Sequence, residues 1–120
     1  MKAQELRIGN LLHPKVKGIV LIDDVHTVEA TSIMMILGQI DNRGIEFEPI
    51  PLTEEWLLKF GFWKDVQYGY FKKQPSGKNY PFIIMHYNNE FILCDNAMNV
   101  KPRFVHQLQN LFYALTGQEL

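Results

Sequence analysis

The chain opens with short apolar runs separated by turn formers. Leu6, Ile8, Leu11 and Leu12 fall within residues 6–13, a strand that Pro14 is expected to close. Gly18 to Ile22 is a second compact run, Asp23-Asp24 marks a turn, and Val25 to Ala30 is a third. Thr31 to Leu37 is the most apolar stretch of this half and reads as a strand ended by Gly38. After the loop Asp41-Asn42-Arg43-Gly44, apolar Ile45 and Phe47 alternate with Glu46 and Glu48 through Ile50, the period-2 pattern of a half-buried strand. So many short strands in so little chain predict a strongly bent sheet or a small SH3-like barrel, because a short open sheet has edges to hide.

The pattern changes at Pro51. Thr53 is an N-cap, Glu54 and Glu55 occupy the first turn where the helix dipole favours anions, and Leu52 and Leu57 stand in hydrophobic-staple positions. Gly61 is placed to end this helix of about two turns in a left-handed conformation. Gln67 to Lys73, Tyr80 to Tyr87 and Glu90 to Asp95 then read as a strand meander. Gln74 to Asn79 forms a polar tip, and Asn88-Asn89 a tight hairpin whose asparagines tolerate positive φ. From Pro102 to Thr116, Phe104, Val105, Leu108, Leu111, Phe112 and Leu115 recur at spacings of three and four. At about 100° per residue they span an arc of ~120°, the face of a helix packed on sheet, and Gly117 supplies the stop. The expected fold class is α+β: a strand-rich half, 1–51, then a short helix, a meander and a C-terminal amphipathic helix, 52–120, within a single domain.

Composition narrows the function classes. The 120 residues are 47% hydrophobic and 21% charged, enough apolar surface for a core without the charge excess of a disordered chain. A net charge of -1 gives no overall field toward nucleic acid or an anionic membrane, so such binding would have to be local. One cysteine, Cys94, excludes an intrachain disulfide and a four-cysteine zinc site. The opening residues lack the apolar stretch of a signal peptide, and no run reaches the ~18 apolar residues of a membrane span; the expectation is a cytoplasmic protein with no membrane partner and no cofactor.

Three segments carry a family resemblance. The ending Val105-His106-Gln107-Leu108-Gln109-Asn110-Leu111-Phe112-Tyr113-Ala114-Leu115-Thr116-Gly117-Gln118-Glu119-Leu120 resembles that of a family of small uncharacterised proteins from gut Bacteroidales bacteria, their phages and mobile elements. Glu5-Leu6-Arg7-Ile8-Gly9-Asn10 resembles the family's opening, and the Pro49 to Phe62 segment its middle. The resemblance implies a phage or mobile-element accessory protein and brings no mechanism with it.

Candidate sites therefore rest on side-chain chemistry. His106, Gln109, Asn110 and Tyr113 form a helical stripe of hydrogen-bonding groups without a full charge, opposite the apolar face. It is a candidate contact for a partner protein, a base edge or a second copy of the chain, unless it packs beneath the first strands with its groups satisfied by backbone. Tyr68, Tyr70, Lys72, Lys73, Lys78 and Tyr80 form the alternative site, aromatic rings for stacking bases and lysines for phosphates of a single strand. Alternation puts Tyr68, Tyr70 and Lys72 on one strand face and Phe71 and Lys73 on the other, so a soluble hairpin tip explains the lysines as well.

Asp23, Asp24 and His26 lack the further ligands a metal needs and fit a turn, so no metal site is assigned. His13 and His86 read as structural, Cys94 as a small hydrophobe, and Gly77-Lys78 lacks the earlier glycine and following hydroxyl of a phosphate loop. No catalytic residue emerges. The expected function is a non-enzymatic interaction or adaptor protein that binds another protein or itself. The alternatives are a weak single-stranded nucleic-acid binder and an enzyme on a small substrate whose residues converge only in the fold.

Overall fold

The computed structural model describes residues 2–94 and 100–120. It has the expected α+β class, and its chain divides into two compact units. One unit comprises the residues up to Ile50 together with Phe104–Asn110; the other comprises Pro51–Arg103 with Leu111–Leu120.

The first unit is built on β1 (Leu11–Val16), which pairs antiparallel with three strands, β2 (Ile19–Val20), β3 (His26–Thr27) and β4 (Ile45–Pro49). β4 runs alongside Leu12 to Val16, whereas β2 pairs with Lys15 and Val16 and β3 with Leu11 and Leu12. Since Leu12, Lys15 and Val16 pair on both sides, β2 and β3 share one edge of β1 end to end, and β4 holds the other. The sheet is open, which corrects the barrel expectation: the three partners are all joined through β1, and among the described residues no backbone pairing joins β4 to β2 or β3.

Pro14 does not close the strand as expected; β1 runs through it, with Pro14 opposite Phe47. The Pro14 carbonyl accepts from Leu21 N–H at 2.9 Å, so its polar backbone faces the gap between β2 and β3. A missing N–H at that position costs no bond to β4. The strand begins later than expected, at Leu11, because a 3-10 turn at Ala3–Glu5 and a positive φ at Gly9 precede it. The expected strand from Gly18 shrinks to β2, and that from Val25 to β3.

The largest correction concerns Thr31 to Leu37, which is not a strand. Residues Ala30–Ile36 form helix α1. Its start is fixed by a capping box: the Glu29 side chain accepts from the Ser32 backbone, and Ser32 Oγ accepts from Glu29 N–H at 3.1 Å. Ile33 and Ile36, three apart, pack with Phe47 against buried Leu6, Leu12 and Val28, so the apolar run buries a helical stripe.

The second unit begins with α2 (Glu54–Lys59), formed as expected. Thr53 Oγ1 accepts from Trp56 N–H at 3.4 Å, and staple residues Leu52 and Leu57 are both buried. Phe62 N–H reaches Leu57 O at 3.1 Å and Gly61 N–H reaches Leu58 O at 3.0 Å, the paired bonds of a Schellman end, with Gly61 at φ 88. The meander that follows has four strands rather than three, β5 (Trp63–Asp65), β6 (Tyr70–Lys73), β7 (Phe82–Tyr87) and β8 (Glu90–Leu93), paired in sequence order. β5 is a short edge strand with two exposed residues, a pattern too brief for alternation to reveal. Asn88 and Asn89 take φ 51 and 61 in the expected hairpin. The expected last strand was to reach Asp95, which lies outside the described residues. One face of this sheet is apolar and buried, with Phe71, Phe82, Ile84, Phe91 and Leu93. The Phe82 ring meets Phe62 at 6.1 Å and Phe112 at 5.0 Å, both edge-on.

Helix α3 (Val105–Thr116) contributes its first part to one unit and the rest to the other. Val105, Leu108 and Phe112 are buried as expected, but Leu115 is 36% exposed, while His106, Gln109 and Thr116 are buried. At about 100° per residue, the buried stripe is turned roughly 75° toward the polar side of the helix from where the apolar pattern alone sets it.

Candidate interaction surface

The turn of α3 follows from what its polar stripe does. Gln109 is buried; its Oε1 accepts from Leu11 N–H at 2.9 Å and its Nε2 donates to Gly9 O at 3.1 Å. Asn110 Oδ1 accepts from Arg7 Nη1 at 2.9 Å, and its Nδ2 donates to Glu5 O at 2.8 Å. The two amides thus pair with polar groups of the irregular backbone of residues 5–11, buried Gln109 with Gly9 and Leu11 and half-buried Asn110 with Glu5. Tyr113 is the member left exposed.

His106 differs from its neighbours. It is buried and lies face to face with Phe104 at 6.0 Å, yet among the described residues neither ring nitrogen has a hydrogen-bond partner. Its Nε2 is 4.0 Å from Glu5 Oε2. Burial lowers its pKa, against the pull of the Glu5 carboxylate, so the ring is held neutral.

The residues of the alternative site are split by the meander. Register places Trp63, Lys72 and Ile83 side by side on the outer face, with Asp65, Tyr70, Met85 and Ile92 in the next row and Tyr87 beside Glu90 beyond. Tyr68, in the turn after β5, stacks on Tyr70 at 6.3 Å. Lys78 and Tyr80 sit in the β6–β7 connection, at the other end of β6. Lys72 is held by Asp65 at 3.6 Å and lies over the Trp63 ring at 5.2 Å. Lys73 points to the opposite face, where its Nζ donates to Phe60 O. Only part of the expected aromatic and basic set is therefore gathered, and two of its lysines are engaged within the protein.

What the register assembles instead is apolar. Trp63 (56%), Tyr68 (64%) and Tyr87 (62%) are strongly exposed, with half-buried Tyr70, Ile83, Met85 and Ile92 among them. Trp63 and Tyr87 were not among the candidates from sequence. The alternation of Ile83, Met85 and Tyr87 with buried Phe82 and Ile84 was the available signal, but it identifies a face only once β5 is known to pair with β6.

The other three histidines make hydrogen bonds within their own units. His13 Nδ1 donates to Asp24 O at 2.8 Å, and His26 Nε2 lies 2.7 Å from Ser32 Oγ, which already serves the capping box of α1. His86 Nδ1 donates to Glu54 Oε1 at 2.9 Å; this bond, with Lys64 at 3.4 Å, holds the Glu54 carboxyl below its ordinary pKa. Cys94 is exposed, not the buried hydrophobe expected, because β8 ends before it at Leu93; partial desolvation still pushes its thiol pKa up, away from a reactive thiolate. Among the described residues no group of three metal-ligating side chains converges, and no helix is long and apolar enough to cross a membrane. Comparison with protein-family models, with curated proteins and with solved structures finds no match.

Proposed function

We propose that this is a non-enzymatic interaction protein that binds the apolar face of another protein with the outer face of its meander. The observation that carries this reading is the exposure of Trp63, Tyr68 and Tyr87 on one side of one sheet, with aliphatic side chains between them. Aromatic rings around an apolar centre are the composition of interface hot spots. The pairing of Lys72 with Asp65 leaves the face nearly neutral, which favours a protein over a polyanion. An adaptor of phage or mobile-element origin, working in the cytoplasm, is the setting that the resemblance of the C-terminal segment supports.

The test is photo-crosslinking from a reactive phenylalanine analogue at position 87, with the same analogue at position 17 as control. A protein captured from 87 and not from 17 is then purified and titrated. Trp63→Ala, Tyr87→Ala should weaken its binding at least ~30-fold, since truncating hot-spot aromatics costs about 2 kcal/mol or more. Unchanged affinity in the double variant sinks the reading. Retention of single-stranded DNA or RNA that falls steeply with salt would favour a nucleic-acid binder instead.

A further inference from the structure

The first unit carries a second surface with a different chemistry. β4 is an edge strand, paired to β1 on one side only. Because the Pro14 carbonyl is turned away from β4, Pro14 and Phe47 form a non-hydrogen-bonded pair, and the N–H and C=O of Phe47 face the free edge. Ile45, two residues earlier, has the same orientation: its N–H is taken by Asn42 O at 2.9 Å, on the side away from β1. Against this edge lies a cleft of about 340 Å³, walled by Met35 and Ile36 of α1 and by Ile45 and Phe47 of β4. Glu46 and Glu48 also line it. Lys15 engages Glu48 at 3.1 Å but stands 4.0 Å from Glu46, whose side chain is 66% exposed.

We propose that this cleft takes an extended segment of a partner protein, alternating basic and apolar residues, by strand addition to β4. Backbone groups at strand spacing are complementary to another strand, and the helix beside them supplies an apolar wall for alternate side chains. The opposite side chains of the same segment fall on the Glu46 and Glu48 side, where cations complete the charge. A second copy of this chain does not fit. Antiparallel pairing of β4 with itself about Phe47 sets Glu46 against Glu48 twice, and like charges directly opposed repel.

The test uses 15N-labelled protein and three blocked hexapeptides: alternating lysine and valine, alternating glutamate and valine, and alternating lysine and proline. The lysine–valine peptide should give saturable amide shifts confined to α1 and β4, and should slow hydrogen exchange at the Phe47 amide ~10-fold or more at saturation, as a new ladder bond requires. The glutamate–valine peptide fails on charge and the lysine–proline peptide on its missing N–H groups. Glu46→Lys, at an exposed position, should weaken the lysine–valine peptide ~5-fold and admit the glutamate–valine one. The proposal is overturned by shifts that fall elsewhere, by binding without protection of Phe47, by equal binding of the proline peptide, or by a charge preference that Glu46→Lys leaves in place. Dimerisation without peptide that protects Phe47 would overturn it in favour of a second copy. None of these results bears on the meander face, which lies in the other unit.

Discussion

Asn10 Nδ2 donates to Asn110 Oδ1 over 2.8 Å, between residues one hundred positions apart in the chain. Asn10 also accepts from Arg7 N–H through its Oδ1 at 2.6 Å, so one small side chain ties the turn before β1 to itself and to α3. The side of the helix that carries no charge is thereby the side that holds the first unit closed.

Removing either amide should be costly. Gln109→Ala leaves Leu11 N–H and Gly9 O without partners, and Asn110→Ala strands Glu5 O and leaves Asn10 Nδ2 only its 3.5 Å contact with Gln109 Oε1. Gln109→Ala should lose about 1–3 kcal/mol in urea unfolding, the cost of unsatisfied buried polar groups, and Asn110→Ala, at a half-buried position, about 0.5–1.5 kcal/mol, the net worth of a hydrogen bond. A double-mutant cycle between Asn10→Ala and Asn110→Ala should give a coupling above ~0.5 kcal/mol. Additive losses would show the two amides to be independent.

The turned face of α3 separates two leucines of the same apolar pattern. Leu108 is buried and Leu108→Ala should cost ~2–5 kcal/mol, whereas Leu115→Ala, at an exposed position, should stay within ~0.5 kcal/mol. Equal losses at both sites would restore the pattern-derived face.

Acid should act through His106. Its native pKa lies below the ordinary value of 6.5, so the unfolded chain takes the proton first. Stability is complete above that value, falls as pH drops from it toward the native pKa, and then levels off. Glu54, also lowered, contributes stability that is lost only as pH falls below its ordinary 4.5, so it takes no part in a loss that begins near 6.5. His106→Leu should abolish the loss that starts near 6.5; a wild-type curve flat between pH 7 and 5 would rule it out.

The hairpin between β1 and β2 holds an avoidable strain. Lys17 has φ 52 ahead of Gly18 at φ 77, a turn in which asparagine is better suited to the first position. Lys17→Asn should raise stability by roughly 0.5 kcal/mol, read as a higher urea midpoint at unchanged m-value.

Elements with their own end signals were legible in the sequence. Thr53, the staple leucines and Gly61 specify α2 locally, and Asn88-Asn89 specifies its hairpin, because both depend on backbone chemistry within a few residues. Thr31 to Leu37 was not legible: a short apolar run fits strand and helix equally, and the signal that decides it, Glu29 with Ser32, is a capping box with its usual residues exchanged. The path of β1 through Pro14 depends on which way one carbonyl points, a property of the partners and not of the residue.

The outer meander face was half visible. Tyr68, Tyr70 and Lys72 stood out by type, but Trp63 and Tyr87 joined them only through a register that no local pattern encodes. The polar stripe of α3 was found as a stripe, while its work for residues 5–11 is a long-range relation that helical periodicity does not contain.

Because the first unit draws in Phe104–Asn110, it is not an unbroken length of chain. During synthesis even the last of its strands emerges from the ribosome some sixty residues ahead of the amides that finish the unit. Until then Gly9, Leu11 and the Glu5 carbonyl must stay with water, and the nascent half waits on a late-arriving clasp whose distance along the chain favours slow folding.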